Sequence, residues 1–232
     1  MADGNISFAA SDLFSIAAAS KFQQTASTTR VTQQFAQAFK ADGDICTESS
    51  AFDVRTDVTT DFDYCGSDFK TDLGTTGSAF GLGGSYLLDS VTCNWGNTAM
   101  PTLSVAGHNH TANAHASVWA PLFNWATVLP TAGGVGIPAL GTNYTLTLAN
   151  DTKATALTVT ASVGHVDVQD SSGDHLAGTT FNFRLDLSAS GVGLYSDLTL
   201  GSNWTEDDHD LGDANQGADT WAVTAHQYIA RT

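Results

Sequence analysis

The clearest pattern in the chain is the alternation across Phe52–Tyr64, FDVRTDVTTDFDY. One set of alternate positions holds Phe52, Val54, Thr56, Val58, Thr60, Phe62 and Tyr64, and the other holds Asp53, Arg55, Asp57, Thr59, Asp61 and Asp63. Side chains of a strand point to opposite faces with period two, so the stretch predicts a β-strand with an apolar, β-branched face and an acidic face. It runs for 13 residues, against a usual strand of about 5–6. A strand that overshoots its own domain is available for something beyond it. The acidic row then reads either as the solvated outer face of an ordinary sandwich or as a surface shared by many copies.

Further strand-like runs follow at residues 86–95, 102–106, 143–149, 154–170, 180–188, 195–200 and 221–229, with clean alternation at Tyr144, Leu146, Leu148 and at Phe181, Phe183, Leu185, Leu187. Glycine, asparagine and aspartate turns separate them, which argues for a mainly β chain built as an antiparallel sandwich or barrel. Residues 11–22, SDLFSIAAASKF, combine a capping Ser11 or Asp12 with a helical mix and predict a short helix or an adaptable arm. Residues 30–44 fit strand or helix, with Gly43 as the stop. Residues 67–85 are glycine-rich and without period, a surface loop. Residues 116–141, with Trp119, Phe123 and Trp125 among prolines and glycines, read as a long connection packed through its aromatics. No repeat and no linker divides the chain. The expectation is one domain over residues 1–232, with an N-terminal arm over about 1–25 and a loop over about 67–85.

Charge narrows the partners. Eight lysines and arginines face 24 aspartates and glutamates, a formal charge of −16. Such a surface repels nucleic acid and anionic membrane, so a phosphate-gripping role is disfavoured. No apolar run approaches the roughly 20 residues of a membrane span, and residues 1–20 lack the pattern of a secretory signal. A cytoplasmically made, soluble chain is expected. Cys46, Cys65 and Cys93 lack CxxC spacing and are expected as free thiols.

Three clusters offer chemistry. In GHNHTANAH, His108 and His110 would share one face of a strand, and His115 from a following turn would complete a three-nitrogen metal site of cupin-like kind. A polar turn accounts for the same residues, and His165 in VGHVDV joins only if the fold brings it there. TEDDHDLGDANQGAD collects Glu206, Asp207, Asp208, Asp210, Asp213 and Asp219 in what reads as a hydrated acidic loop without the EF-hand pattern. DVQDSSGDH, with Asp167, Asp170, Asp174 and His175 around Gly173, reads as hairpin chemistry. The chain has no GxSxG, HExxH or phosphate-cradling loop, and only two glutamates, Glu48 and Glu206, so no catalytic constellation is expected.

Residues 101–115, PTLSVAGHNHTANAH, and residues 161–178, ASVGHVDVQDSSGDHLAG, resemble stretches of virion structural proteins of tailed bacteriophages, in particular of tail tube proteins. The resemblance implies a β-sandwich protomer with a helix and long hairpins, stacked as rings into a hollow tube in the virion; the alternatives are a metal-binding, cupin-like β-barrel enzyme or binding module centred on His108, His110 and His115, and another shell or surface-filament structural protein. The partners of a tube subunit would be copies of itself, other tail or virion proteins, and DNA that passes without specific binding; no cofactor and no enzymatic activity are implied by the resemblance. On that expectation Asp53, Asp57, Asp61 and Asp63 face the lumen, while Phe52, Val54, Val58, Phe62 and Tyr64 form the sheet and assembly face.

Overall fold

The structure, a computed structural model, describes residues 22–49, 52–66, 82–83, 86–110, 146–148, 153–194, 198–200, 203–213 and 217–228. Along them run thirteen strands: β1 (Phe22–Gln34), β2 (Gln37–Phe39), β3 (Ile45–Glu48), β4 (Phe52–Tyr64), β5 (Leu82–Gly83), β6 (Tyr86–Gly96), β7 (Ala99–His110), β8 (Leu146–Leu148), β9 (Lys153–Gln169), β10 (His175–Val192), β11 (Leu198–Leu200), β12 (Thr205–Gly212) and β13 (Thr220–Tyr228). Nine form one antiparallel sheet in the order β1-β4-β7-β6-β9-β10-β13-β12, with β5 added on β6. The pair β8–β11 forms a second, small layer whose Leu200 packs on the core of the large sheet, giving a sandwich-like arrangement. The pair β2–β3 is a separate hairpin.

The period-two patterns explain this sheet. In β4, Val58, Phe62 and Tyr64 are buried at 2% exposure or less. Across the ladders they meet Leu103 and Val105 of β7, Val91, Cys93 and Trp95 of β6, Leu157, Val159 and Ala161 of β9, Leu185, Leu187 and Ala189 of β10, and Trp221, Val223 and Ala225 of β13. Each of these side chains contributes about 1.5–3 kcal/mol when fully buried, less for alanine. Burial also pushes the Cys93 thiol pKa well up. Gly191 is required where β10 passes β9 and β13: a Cβ there would overlap the Lys153 carbonyl oxygen and lie 2.5 Å from Trp221 Cζ2.

Residues directly opposed in an antiparallel ladder share a face. The acidic row of β4 therefore continues over the whole sheet as a polar face. Asp57, Thr59, Asp61 and Asp63 oppose His108, Ala106, Ser104 and Thr102; Ser104 opposes Thr92, Thr92 opposes Thr160, and Thr160 opposes Asp186. Hydroxyl and amide contacts knit it together: Thr92 Oγ1 lies 3.1 Å from Thr160 Oγ1, and Thr158 donates to Asn94 Oδ1 at 2.8 Å.

Several expectations change. The described residues contain no helix, and of the helix expected over residues 11–22 only Phe22 is described, where it opens β1 and is buried on Tyr64, ring centroids 4.9 Å apart. The stretch beyond Arg30 is strand to Gln34, then the β2–β3 hairpin turning through Gly43 at φ 91°. The acidic run after Trp204 is largely the strand β12, because the residues from Thr205 to Gly212 pair along β13, with Asp207 left as the extra residue of a register shift. Its acids separate there: Glu206 contacts His209 at 2.7 Å and Asp207 contacts His226 at 2.7 Å. The loop expected over residues 67–85, apart from Leu82–Gly83, and the connection over residues 116–141 lie outside the described residues.

Because the two faces of β4 differ so sharply, substitutions on them separate cleanly. Val58→Asp puts a carboxylate without a partner into the core and is expected to remove cooperative urea unfolding, a cost above about 4 kcal/mol. Thr59→Lys, one residue away on the exposed side, should stay within about 0.5 kcal/mol of the parent. Gly191→Ala should behave like the first, since the obstacles are the Lys153 carbonyl and the buried Trp221 indole rather than a flexible side-chain tip.

Candidate functional site

His108 and His110 stand at the end of β7, on the polar face, opposite Asp57 and Arg55. Yet they are 0% and 3% exposed. The cause lies in the β9–β10 hairpin. The β6–β9 ladder ends at Ser90–Ser162, and beyond it His165, Asp167 and His175 meet the histidines of β7 instead. The ring of His165 stands edge-on to His108, centroids 4.8 Å apart, and that of His175 stacks on His110 at 4.2 Å and 18°. The spacing of His108, His110, His165 and Asp167 in pairs of alternate residues puts two donors per strand into the same place.

Three irregularities aim the carboxylates. In β6 the register slips between Leu88 and Ser90, which leaves Asp89 as the extra residue against β7. Bulges of this kind redirect a side chain, and the Asp89 carboxylate reaches both His108 Nδ1 and His165 Nε2 at 2.7 Å. Asp53 has φ 48°, the left-handed region that aspartate and asparagine tolerate best among residues with a side chain. Its carboxylate touches His110 Nδ1 at 3.1 Å and accepts from Gln34 and Gln169, while its backbone N–H donates to Asp174 Oδ1. In β10 a slip between Phe181 and Arg184, with Asn182 at φ 48°, lets the hairpin bend away from the main ladder. The turn itself follows from DSSGD: Asp170 Oδ1 accepts from the backbone of Ser172 and Asp174, and Gly173 takes φ 84°.

Electrostatics follow the same contacts. Burial works to raise the Asp89 pKa, but the hydrogen bonds and charges of His108 and His165 outweigh it and hold the carboxyl down at about 2. Arg55 Nη2 stands 4.0 Å from its second oxygen. Burial, reinforced by His175, lowers the His110 pKa against the opposing pull of Asp167 and Asp53. Two groups bring three donor atoms within 4.8 Å of one another: Asp89, His108 and His165, and His108, His110 and Asp167. Imidazole and carboxylate together suit divalent transition metals.

Of the expected trio, two members come together among the described residues. His108 and His110 converge, His115 lies outside the described residues, and the further donors are His165, Asp167, Asp89 and His175. Of the expected lumen row, Asp53 is built into this cluster with its side chain 14% exposed, Asp57 is held by Arg55 at 2.7 Å, and Asp63 is exposed. In the companion row Val58, Phe62 and Tyr64 are buried, while Phe52 and Val54 are half-buried, with Phe52 against Gly173. No disulfide joins Cys46, Cys65 or Cys93. Among the described residues no helix is long and apolar enough to cross a membrane. No protein-family model matches the chain, and no curated protein matches it in sequence.

In metal-free buffer at neutral pH, Asp89→Asn is expected to lower the unfolding free energy by about 2 kcal/mol, the equivalent of holding a carboxyl at about 2 rather than 3.8. A depressed carboxyl pKa stabilises the fold above its ordinary value and loses that effect as pH falls through the lowered one. Urea titrations of both proteins should show their difference closing as pH drops from 3.8 towards about 2; a difference that persists unchanged would contradict this origin.

Proposed function

We propose that the chain is a structural subunit that assembles with copies of itself into stacked rings, forming a hollow tube with an acidic bore of the kind found in bacteriophage tails, through which DNA passes without adhering. The observation that carries this reading is the pair of sheet edges. Among the described residues β1 and β12 each pair on one side only, with β4 and β13. An edge of 13 residues such as β1 is normally blunted against association. Here β1, FQQTASTTRVTQQ, carries no carboxylate and one cation, Arg30, whereas β12, TEDDHDLG, carries four acids and no lysine or arginine. Joining two β12 edges sets like charges together; joining β1 of one copy to β12 of the next does not. Such a head-to-tail contact is heterologous and generates rings or filaments.

Two further features support the reading. Val31, Phe35, Phe39 and Ile45 stand 45–61% exposed along β1 and the β2–β3 hairpin, and Val166, Val168 and Leu176 stand 49–57% exposed near the β9–β10 turn. Exposed apolar side chains grouped on projecting hairpins suit contacts between neighbouring copies. The polar face carrying Asp57, Asp61 and Asp63 suits a bore, since carboxylates in a ring repel a DNA backbone and leave it no adhesive site.

Negative-stain microscopy and sedimentation across a concentration series should show uniform rings or tubes. Thr29→Asp with Gln33→Asp, both exposed positions of β1, should abolish them while keeping the urea midpoint, because the new carboxylates face the acids of β12. A parent chain that stays monomeric at every concentration, or a double variant that assembles as the parent does, overturns the proposal.

A further inference from the structure

The histidine cluster supports an inference independent of assembly: we propose that His108, His110 and Asp167 hold one divalent transition-metal ion, with Asp89, Asp53 and His175 as the groups that orient the three ligands. The two groups of converging donors share His108, and distance decides between them. A tetrahedral centre with bonds of about 2.0–2.1 Å keeps its ligand atoms roughly 3.3 Å apart. In the Asp89, His108, His165 group both ring nitrogens stand 2.7 Å from the same carboxylate oxygen, which is hydrogen-bond contact and leaves no room for an ion between them. In the other group His110 Nε2 stands 3.6 Å from Asp167 Oδ2, within a few tenths of an ångström of the metal-bridged spacing.

The chemistry of the surrounding contacts points the same way. An ionised carboxylate only accepts hydrogen bonds, so the ring nitrogen against it carries the proton. Asp89 takes His108 Nδ1 and Asp53 takes His110 Nδ1. Each ring is thereby set in the tautomer whose Nε2 presents a lone pair to a metal, which is how metal-ligating histidines are usually held. Asp167 has the same support: His175 Nε2 lies 3.2 Å from Oδ1, the oxygen opposite the one facing His110. His175 is fixed in turn by stacking on His110. All three ligands thus have an orienting partner, and the partners come from β4, β6 and β10. Two imidazoles and one carboxylate leave further positions on the ion to water. An ion here would tie the β9–β10 hairpin to the end of β7.

The test uses the full chain stripped with EDTA and titrated with Zn(II) and with Co(II), followed by calorimetry, cobalt absorption and X-ray absorption at the zinc edge. The expected result is one ion per chain, a nitrogen and oxygen shell at about 2.0–2.1 Å without sulfur at about 2.3 Å, and a raised thermal midpoint. His110→Gln or Asp167→Asn should remove stoichiometric binding. Asp89→Asn and Asp53→Asn should weaken it about 10–100-fold at unchanged stoichiometry, as loss of orienting partners does, and His165→Gln should weaken it less than His110→Gln. Because a variant that misfolds would also lose metal, far-ultraviolet circular dichroism accompanies each, and the shell of the parent protein stands as a separate measurement. Absence of stoichiometric binding, sulfur in the shell, or loss of binding in His165→Gln with retention in His110→Gln would each overturn the assignment.

Discussion

The ladder between β4 and β7 is the constraint on which the molecule depends. Its register sets Val58 beside Gly107 and Phe62 beside Leu103 on the apolar side, and Asp57 beside His108 and Arg55 beside His110 on the other. A slip by one residue would send every apolar side chain of β4 to the polar face and bury its aspartates. That penalty holds both halves of the sheet in place. The buried face draws β6, β9, β10 and β13 into one core, and the polar face becomes a surface of threonine, serine and aspartate from β4 to β13.

The histidine cluster exists because this regular sheet is broken in a few places. The bulge at Asp89 and the slip at Asn182 lie where the β9–β10 hairpin leaves β6, and the left-handed residue Asp53 meets the tip of that hairpin at Gln169 and Asp174. Left regular, the polar face would hold His108 and His110 in water beside Asp57 and Arg55. Bent over them, the hairpin buries two imidazoles and brings carboxylates against their nitrogens. Without those partners that burial would be costly; with them it gives a preorganised set of donors. The same hairpin exposes Val166, Val168 and Leu176, so one structural departure builds the cluster and also leaves apolar side chains at the surface.

The proposed assembly edges and the proposed metal site draw largely on different parts of the chain. The edge β12 and the β2–β3 hairpin hold none of the donors, while Gln34 at the end of β1 donates to the Asp53 carboxylate, and nothing in the ligand geometry requires a second copy. An ion would stiffen the hairpin that carries the exposed Val166 and Val168, and the Gln34–Asp53 contact is a second link between the cluster and the β1 edge.

Much of the fold was legible from pattern. Phe52–Tyr64 was read with its observed ends, as were residues 86–95 and 154–170 to within a residue or so, because alternation of apolar and polar positions follows directly from strand geometry. The turn at Gly173 was legible from its aspartates for the same local reason. Local pattern failed at β1 and β12, whose side chains are polar on nearly every position; an edge strand takes its conformation from the neighbour's hydrogen bonds and needs no apolar face. It failed as well at the cluster. The sequence marked His108 and His110 as a pair and raised His165 as a bystander, while Asp167 and His175 read as turn chemistry and Asp89 carried no signal. Which of these share a site depends on where a hairpin 50 residues downstream comes to lie, and on a bulge that alternation does not encode. Residue types and local spacing were determined by the chain itself; their convergence was decided by long-range strand pairing, because donors from β4, β6, β7, β9 and β10 meet only after the sheet has formed.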